Sequence, residues 1–136
     1  VHLHGEILKA RSSVDHGLRY PLPRGGIRLG DLCDKGSQLR PDVVWFGEAV
    51  PLYAVAEEIA AEADLLLIVG TSLKVMPASN LYAAAPLDAP IVLVDPNADE
   101  LAEPGVLPLA ESAGQAVPRL VRHWLYQGHL GLPDTL

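Results

Sequence analysis

Three short apolar runs, Val43-Val44-Trp45-Phe46, Leu65-Leu66-Leu67-Ile68-Val69 and Ile91-Val92-Leu93-Val94, constrain the fold more than any other feature of the sequence. They are continuous rather than alternating, the pattern of strands covered on both faces of a parallel sheet. Between the first two, residues 52–63 place Leu52, Val55, Ile59 and Ala63 at helical spacing with Glu57, Glu58 and Glu62 on the other side, which predicts a β-α-β unit. An Ala-rich helix over residues 79–85, closed by Pro86, repeats the crossover. After the third run, Pro96-Asn97-Ala98-Asp99 reads as a turn and residues 105–109 as a short edge strand. Residues 115–126 read as an amphipathic helix with Val117, Leu120, Val121, Trp124 and Leu125 on its buried stripe. The alternation predicts an open, mostly parallel α/β sheet of Rossmann type, whose ligands sit at the carboxyl ends of the strands.

For a chain of 136 residues one folding unit with a hydrophobic core is expected. Its 49% hydrophobic content is carried by Ala, Val, Leu and Ile, with only 5% aromatics, which suits a close-packed α/β enzyme. The net charge of -7, from 17 acidic and 10 basic residues, repels phosphate backbones and anionic lipid, so neither nucleic acid nor a membrane is an expected partner. The apolar stretch at 63–70 is interrupted by Asp64 and is too short for a bilayer, and no signal peptide is visible. Val1 in place of an initiator Met suggests a truncated start. The single cysteine, Cys33, excludes an intrachain disulfide and a four-cysteine zinc site, and fits a reducing cytoplasm. A monomer is expected. Between Glu6 and Arg40, Ser12-Ser13, Pro21, Pro23, Gly25-Gly26, Gly30 and Gly36 break any long period, which predicts a loop-rich insertion at 6–40. The Gly- and Pro-containing stretch 127–136 reads as a flexible tail after a folded part spanning 1–126.

Several short motifs carry chemistry. Gly70-Thr71-Ser72 follows directly on the second run, where a Gly admits close approach and two hydroxyls and free N–H groups can hold phosphate or ribose oxygens; a tight strand exit or helix cap reads the same way. Asp95 and Asn97 lie just past the third run and can meet ribose hydroxyls, or simply form a turn. In His2-Leu3-His4-Gly5, read as a strand, His2 and His4 share a face. An imidazole titrating near about pH 6.5 suits a general base at His4, although a lone histidine is more often structural.

In combination these segments are more specific. Leu3-His4-Gly5, then Leu39-Arg40-Pro41-Asp42-Val43-Val44-Trp45-Phe46-Gly47-Glu48, then Gly70-Thr71-Ser72-Leu73-Lys74-Val75-Met76-Pro77-Ala78, in this order and spacing, resemble the sirtuin family over nearly the whole chain. The resemblance implies an NAD-dependent protein-lysine deacylase, acting on acetyl or succinyl groups and releasing nicotinamide, free lysine and an O-acyl-ADP-ribose, with NAD consumed as co-substrate. It makes His4 the catalytic base. Gly70, Thr71 and Ser72 then match the loop around the nicotinamide ribose and phosphates, Asp95 and Asn97 the adenosine-ribose segment, and Ala113 a residue touching the adenine. Asp95 stands where the family more often has Asn. Val44, Phe46, Gly47, Glu48 and Val75 match the segments that pin an acyl-lysine peptide as an added strand. The family's two Cys-x-x-Cys pairs are reduced to Cys33, so no zinc is expected. Its Gly-rich phosphate loop and Gln-Asn-x-Asp segment are expected before Val1, which makes the chain the C-terminal part of the catalytic domain. An inactive NAD-binding fragment, or NAD hydrolysis or ADP-ribosyl transfer on the same fold, remain alternatives.

Overall fold

The computed structural model describes residues 1–128 and divides the chain into two compact units, Val1–Leu52 and Tyr53–Leu136. The first unit is built on a three-stranded antiparallel sheet of β1 (Gly5–Ser12), β2 (Arg19–Pro21) and β3 (Leu39–Val43), in the order β2-β1-β3. The segment at 6–40 therefore carries strands as well as turns. Its turns are tied by side chains: Ser12 Oγ accepts from the amides of Val14 and Asp15, and Gln38 Nε2 donates to the carbonyls of Arg28, Asp31 and Leu39.

Two expectations fail in this unit. The run Val43-Val44-Trp45-Phe46 is not a buried strand of a parallel sheet: Val43 ends β3, which pairs antiparallel with β1, and Val44 to Phe46 lie in a loop with Phe46 93% exposed. The β-α-β unit inferred from that run falls with it. The cause is local, because Pro41 removes a ladder donor and Gly47 turns the chain at φ +86 immediately after the run. His2-Leu3-His4-Gly5 is likewise a turn and not a strand, closed by the Gly5 amide donating to the His2 carbonyl at 3.0 Å, and β1 begins only at Gly5.

The second unit contains the parallel α/β sheet that the sequence predicts. Strands β4 (Leu66–Val69), β5 (Ile91–Val94) and β6 (Val106–Leu109) are parallel in the order β4-β5-β6. The continuous run of β5 is explained by burial on both faces. Val92 and Val94 pack with Leu109, Ala116 and Leu120 on one side, and Leu93 packs with Ala98 and Val106 on the other. Helix α3 (Ala113–Gln127) lies on the first face through Ala113, Ala116, Val117, Leu120 and Trp124, a spacing that follows one side of a helix. Val121 and Leu125, expected in this stripe, are exposed on its flank. The helix continues through Gln127 and closes at Gly128, left-handed at φ +70, whose amide donates to the Trp124 carbonyl at 2.9 Å. The rest of the expected tail, 129–136, lies outside the described residues.

The predicted helix at 52–63 is α1 (Tyr53–Ala61), and the one at 79–85 is a 3-10 segment, Ala78–Ala84. Helix α1 turns a different face inward from the one its large residues suggested. Val55 and Ile59 are 44% and 57% exposed, while Ala60 is buried. Helix α1 runs close to the 3-10 segment, and Ala60 is the α1 residue that is buried. A short helix α2 (Ala98–Leu101) follows β5. No helix among the described residues is long and apolar enough to cross a membrane.

Candidate active site

In the second unit the parallel register sets Val69, Val94 and Leu109 side by side, so the three strands leave the sheet at one end. The residues that follow are Gly70-Thr71-Ser72 after β4, Asp95 to Asn97 after β5, and Ala113 at the start of α3 after β6. Gly70 (φ +63) holds this end together, its amide donating to the Val94 carbonyl at 3.0 Å. Thr71 Oγ1 accepts from the Leu73 amide at 3.2 Å, and Ser72 is exposed. Asp95 Oδ1 accepts from the Asn97 amide at 2.9 Å, so the turn reading of this pair is realised, and Asn97 itself stays exposed. Helix α3 starts after the β6 exit, and its Gln115 and Ala116 amides both donate to the Ser112 carbonyl at 3.0 Å. Val75 is exposed in the loop after β4, and its carbonyl accepts from the Ser79 amide at 2.9 Å.

In the first unit His4 is exposed just before β1, and its carbonyl accepts from the Val44 amide at 2.9 Å. The turn that carries it depends on Gly5. At φ +89 a β-carbon would strike the Asp42 carbonyl and lie 2.9 Å from the Val43 Cα, so only glycine lets β1 start against β3 here. Val44 to Glu48 form the adjoining loop. It closes on a turn in which the Glu48 amide donates to the Trp45 carbonyl at 3.1 Å with Gly47 at a positive φ. Trp45 and Phe46 are exposed.

The Glu48 side chain is committed internally. Its Oε1 accepts from Arg40 Nη1 at 2.6 Å, and its Oε2 from Arg40 Nη2 at 3.2 Å, Arg11 Nη2 at 3.2 Å and the Trp45 amide at 3.0 Å. The Arg40 guanidinium, followed by the Trp45 amide, holds the Glu48 carboxyl well below the usual range, at about 2. Asp42, 3% exposed, receives Arg19 Nε at 3.1 Å and faces Arg11 Nη1 at 4.0 Å. Arg11 is itself only 2% exposed, and its Nε has no hydrogen-bond partner among the described residues. This buried cluster escapes a reading of the sequence because Arg11 and Glu48 are 37 positions apart.

A zinc ion does not fit the residues of this unit. The Ser12 hydroxyl pulls the thiol of Cys33 below its ordinary value against a burial that pushes it up, and the neighbouring carboxylate of Asp15 is taken by Lys35 Nζ at 2.7 Å. Among the described residues no three His, Cys, Asp or Glu side chains gather as metal ligands.

The sequence profile of the Sir2 family matches residues 1–77. The chain belongs to the Sir2 family. It is 48% identical over 122 residues to an NAD-dependent protein deacylase of Helicobacter pylori, a match spanning 89% of this chain and 53% of that protein. A Sir2 homologue solved with ADP-ribose superimposes with a TM-score of 0.75 at 31% identity, over 98% of this chain and 55% of the other. A Sir2 protein solved with a p53 peptide and NAD superimposes with a TM-score of 0.61 at 25% identity, over 93% of this chain and 54% of the other. The chain thus spans about half the length of the Sir2 proteins it matches.

Proposed function

We propose that this chain supplies part of an NAD-dependent protein-lysine deacylase. The observation that carries the proposal is the alignment of Gly70-Thr71-Ser72, Asp95 to Asn97 and Ala113 at the carboxyl ends of three adjacent parallel strands, in a chain of the Sir2 family. The donors there suit a dinucleotide: exposed hydroxyl and amide side chains for ribose, and the amino end of α3 for negative charge.

NAD contributes an ADP-ribosyl group from which nicotinamide is displaced by the acyl oxygen of the modified lysine. The chain's own residues perform the remaining work. His4, exposed on a turn that Gly5 fixes, accepts the proton released from a ribose hydroxyl as that oxygen bonds to the acyl carbon; the carbon–nitrogen bond to lysine then breaks, and one water adds to leave free lysine and O-acyl-ADP-ribose. Val44 to Glu48 receive the substrate as an extended strand, using main-chain hydrogen bonds that tolerate many sequences. The same proposal covers succinyl as well as acetyl groups and a cytoplasmic setting, the latter supported by a single cysteine.

The test uses the full-length protein with NAD and an acetyl- or succinyl-lysine peptide. Free lysine, nicotinamide and O-acyl-ADP-ribose, identified by mass spectrometry, are expected in equal amounts. Nicotinamide released without peptide would assign NAD hydrolysis instead, and no nicotinamide under any condition would refute the proposal.

A further inference from the structure

Arg11 and Arg40 present an electrostatic problem that the carboxylate of Glu48 bridges, with Asp42 a second counter-charge 4.0 Å from Arg11 Nη1. Arg11 on β1 and Arg40 on β3 stand directly opposite each other in the antiparallel pair. Like charges in that relation destabilise a sheet unless a counter-charge lies between them. Arg11 is buried, so it cannot turn to water for relief. Glu48 comes from the loop beyond β3 and accepts from both guanidinium groups. For its carboxylate to reach them, the chain from Val44 to Glu48 must fold back on the end of β3.

Three bonds then fix the shape of that fold-back. The Glu48 carboxylate takes the Trp45 amide, the Glu48 amide returns to the Trp45 carbonyl, and Arg40 Nη2 also donates to the Val43 carbonyl at 3.3 Å. At the other edge the Val44 amide is held by the His4 carbonyl. The amides of Phe46 and Gly47 make no hydrogen bond to a described residue, and both residues are exposed. The loop is rigid where it meets its own unit and open where an extended peptide would pair.

We propose that Arg11, Arg40 and Glu48 are positioning residues, which set the main chain of Val44 to Glu48 in the shape that pairs with the acyl-lysine peptide, while the Glu48 side chain makes no contact with substrate. The inference rests on the reading of Val44 to Glu48 as the peptide-binding segment. It reassigns Glu48 from a contact to a support, because a carboxylate already accepting four bonds has little capacity left for a ligand. Preorganising a loop in its bound form raises affinity by removing the cost of ordering it on binding.

The experiment compares wild type, Glu48→Gln and Glu48→Asp in the full-length protein. Affinities for an acetyl-lysine peptide and for NAD are measured separately by calorimetry, and amide hydrogen exchange is followed by mass spectrometry. For Glu48→Gln the expected result is a peptide affinity weaker by roughly tenfold, NAD affinity unchanged, and faster exchange confined to residues 44–48. Glu48→Asp, which keeps the charge on a shorter arm, recovers part of the loss. Unchanged peptide affinity in Glu48→Gln overturns the inference, and so does fast exchange throughout β1 and β3 in both variants, which would make the cluster merely structural. A wild type that binds no peptide sinks the underlying reading as well, and is recognised because the variants are then not needed to see it.

Discussion

Replacing Gly5 by alanine should break the start of β1 by two separable effects. The residue sits at φ +89, where a β-carbon costs about 1–2 kcal/mol. That β-carbon would also run into the Asp42 carbonyl and the Val43 Cα 2.9 Å away, and forcing an extra carbon into a packed site costs roughly 1–3 kcal/mol more. Gly26 provides the control, since it has φ +83 but no atom within 4 Å of a β-carbon, so Gly26→Ala carries only the first cost. The two variants should therefore differ by about 1–3 kcal/mol, which native-state amide exchange of the β1 and β3 amides reads as roughly five- to 150-fold faster opening in Gly5→Ala. Because the adjoining His4 carbonyl holds the Val44 amide, the same variant should lose protection at Val44. Equal exchange in Gly5→Ala and Gly26→Ala would refute the claim that close backbone approach, and not φ alone, requires glycine beside His4.

The other predictions concern packing, pH and metal. Leu120→Ala removes a fully buried side chain from the β5–α3 core and should cost about 2–5 kcal/mol in urea unfolding followed by circular dichroism. Glu48 has a folded-state pKa depressed to about 2 from an ordinary value of 4.5, so its stabilisation is fully present above about pH 4.5 and fades as pH falls toward 2. Melting temperatures of wild type should drop across that window, and those of Glu48→Gln should drop less. Treatment with a chelator should leave the melting temperature unchanged and elemental analysis should find no stoichiometric zinc, because Lys35 occupies Asp15 and no cluster of ligands forms among the described residues.

Much of the second unit is legible in the sequence because its burial is two-sided. The run from Ile91 to Val94 is continuous because Leu93 and its neighbours Val92 and Val94 meet different layers. Gly70 and Asp95 were placed for the same reason, since the ends of parallel strands are fixed once the strands are. The run from Val43 to Phe46 misled because composition alone cannot tell a buried strand from an exposed apolar loop, and the Pro41 and Gly47 that bracket it decide the matter. In α1 the large residues suggested one face, whereas Val55 and Ile59 are exposed and Ala60 is the buried residue. The Arg11–Glu48–Arg40 cluster was beyond reach, because cross-strand register decides which charges meet and no local pattern encodes it.

The most direct test of the account is the turnover of an acyl-lysine peptide by His4→Ala in the full-length protein, with NAD saturating. Loss of a general base should lower kcat by about 10²–10⁴ while NAD affinity stays at the wild-type value. A variant that deacylates as fast as wild type would remove His4 from the chemistry and contradict the mechanism at its centre.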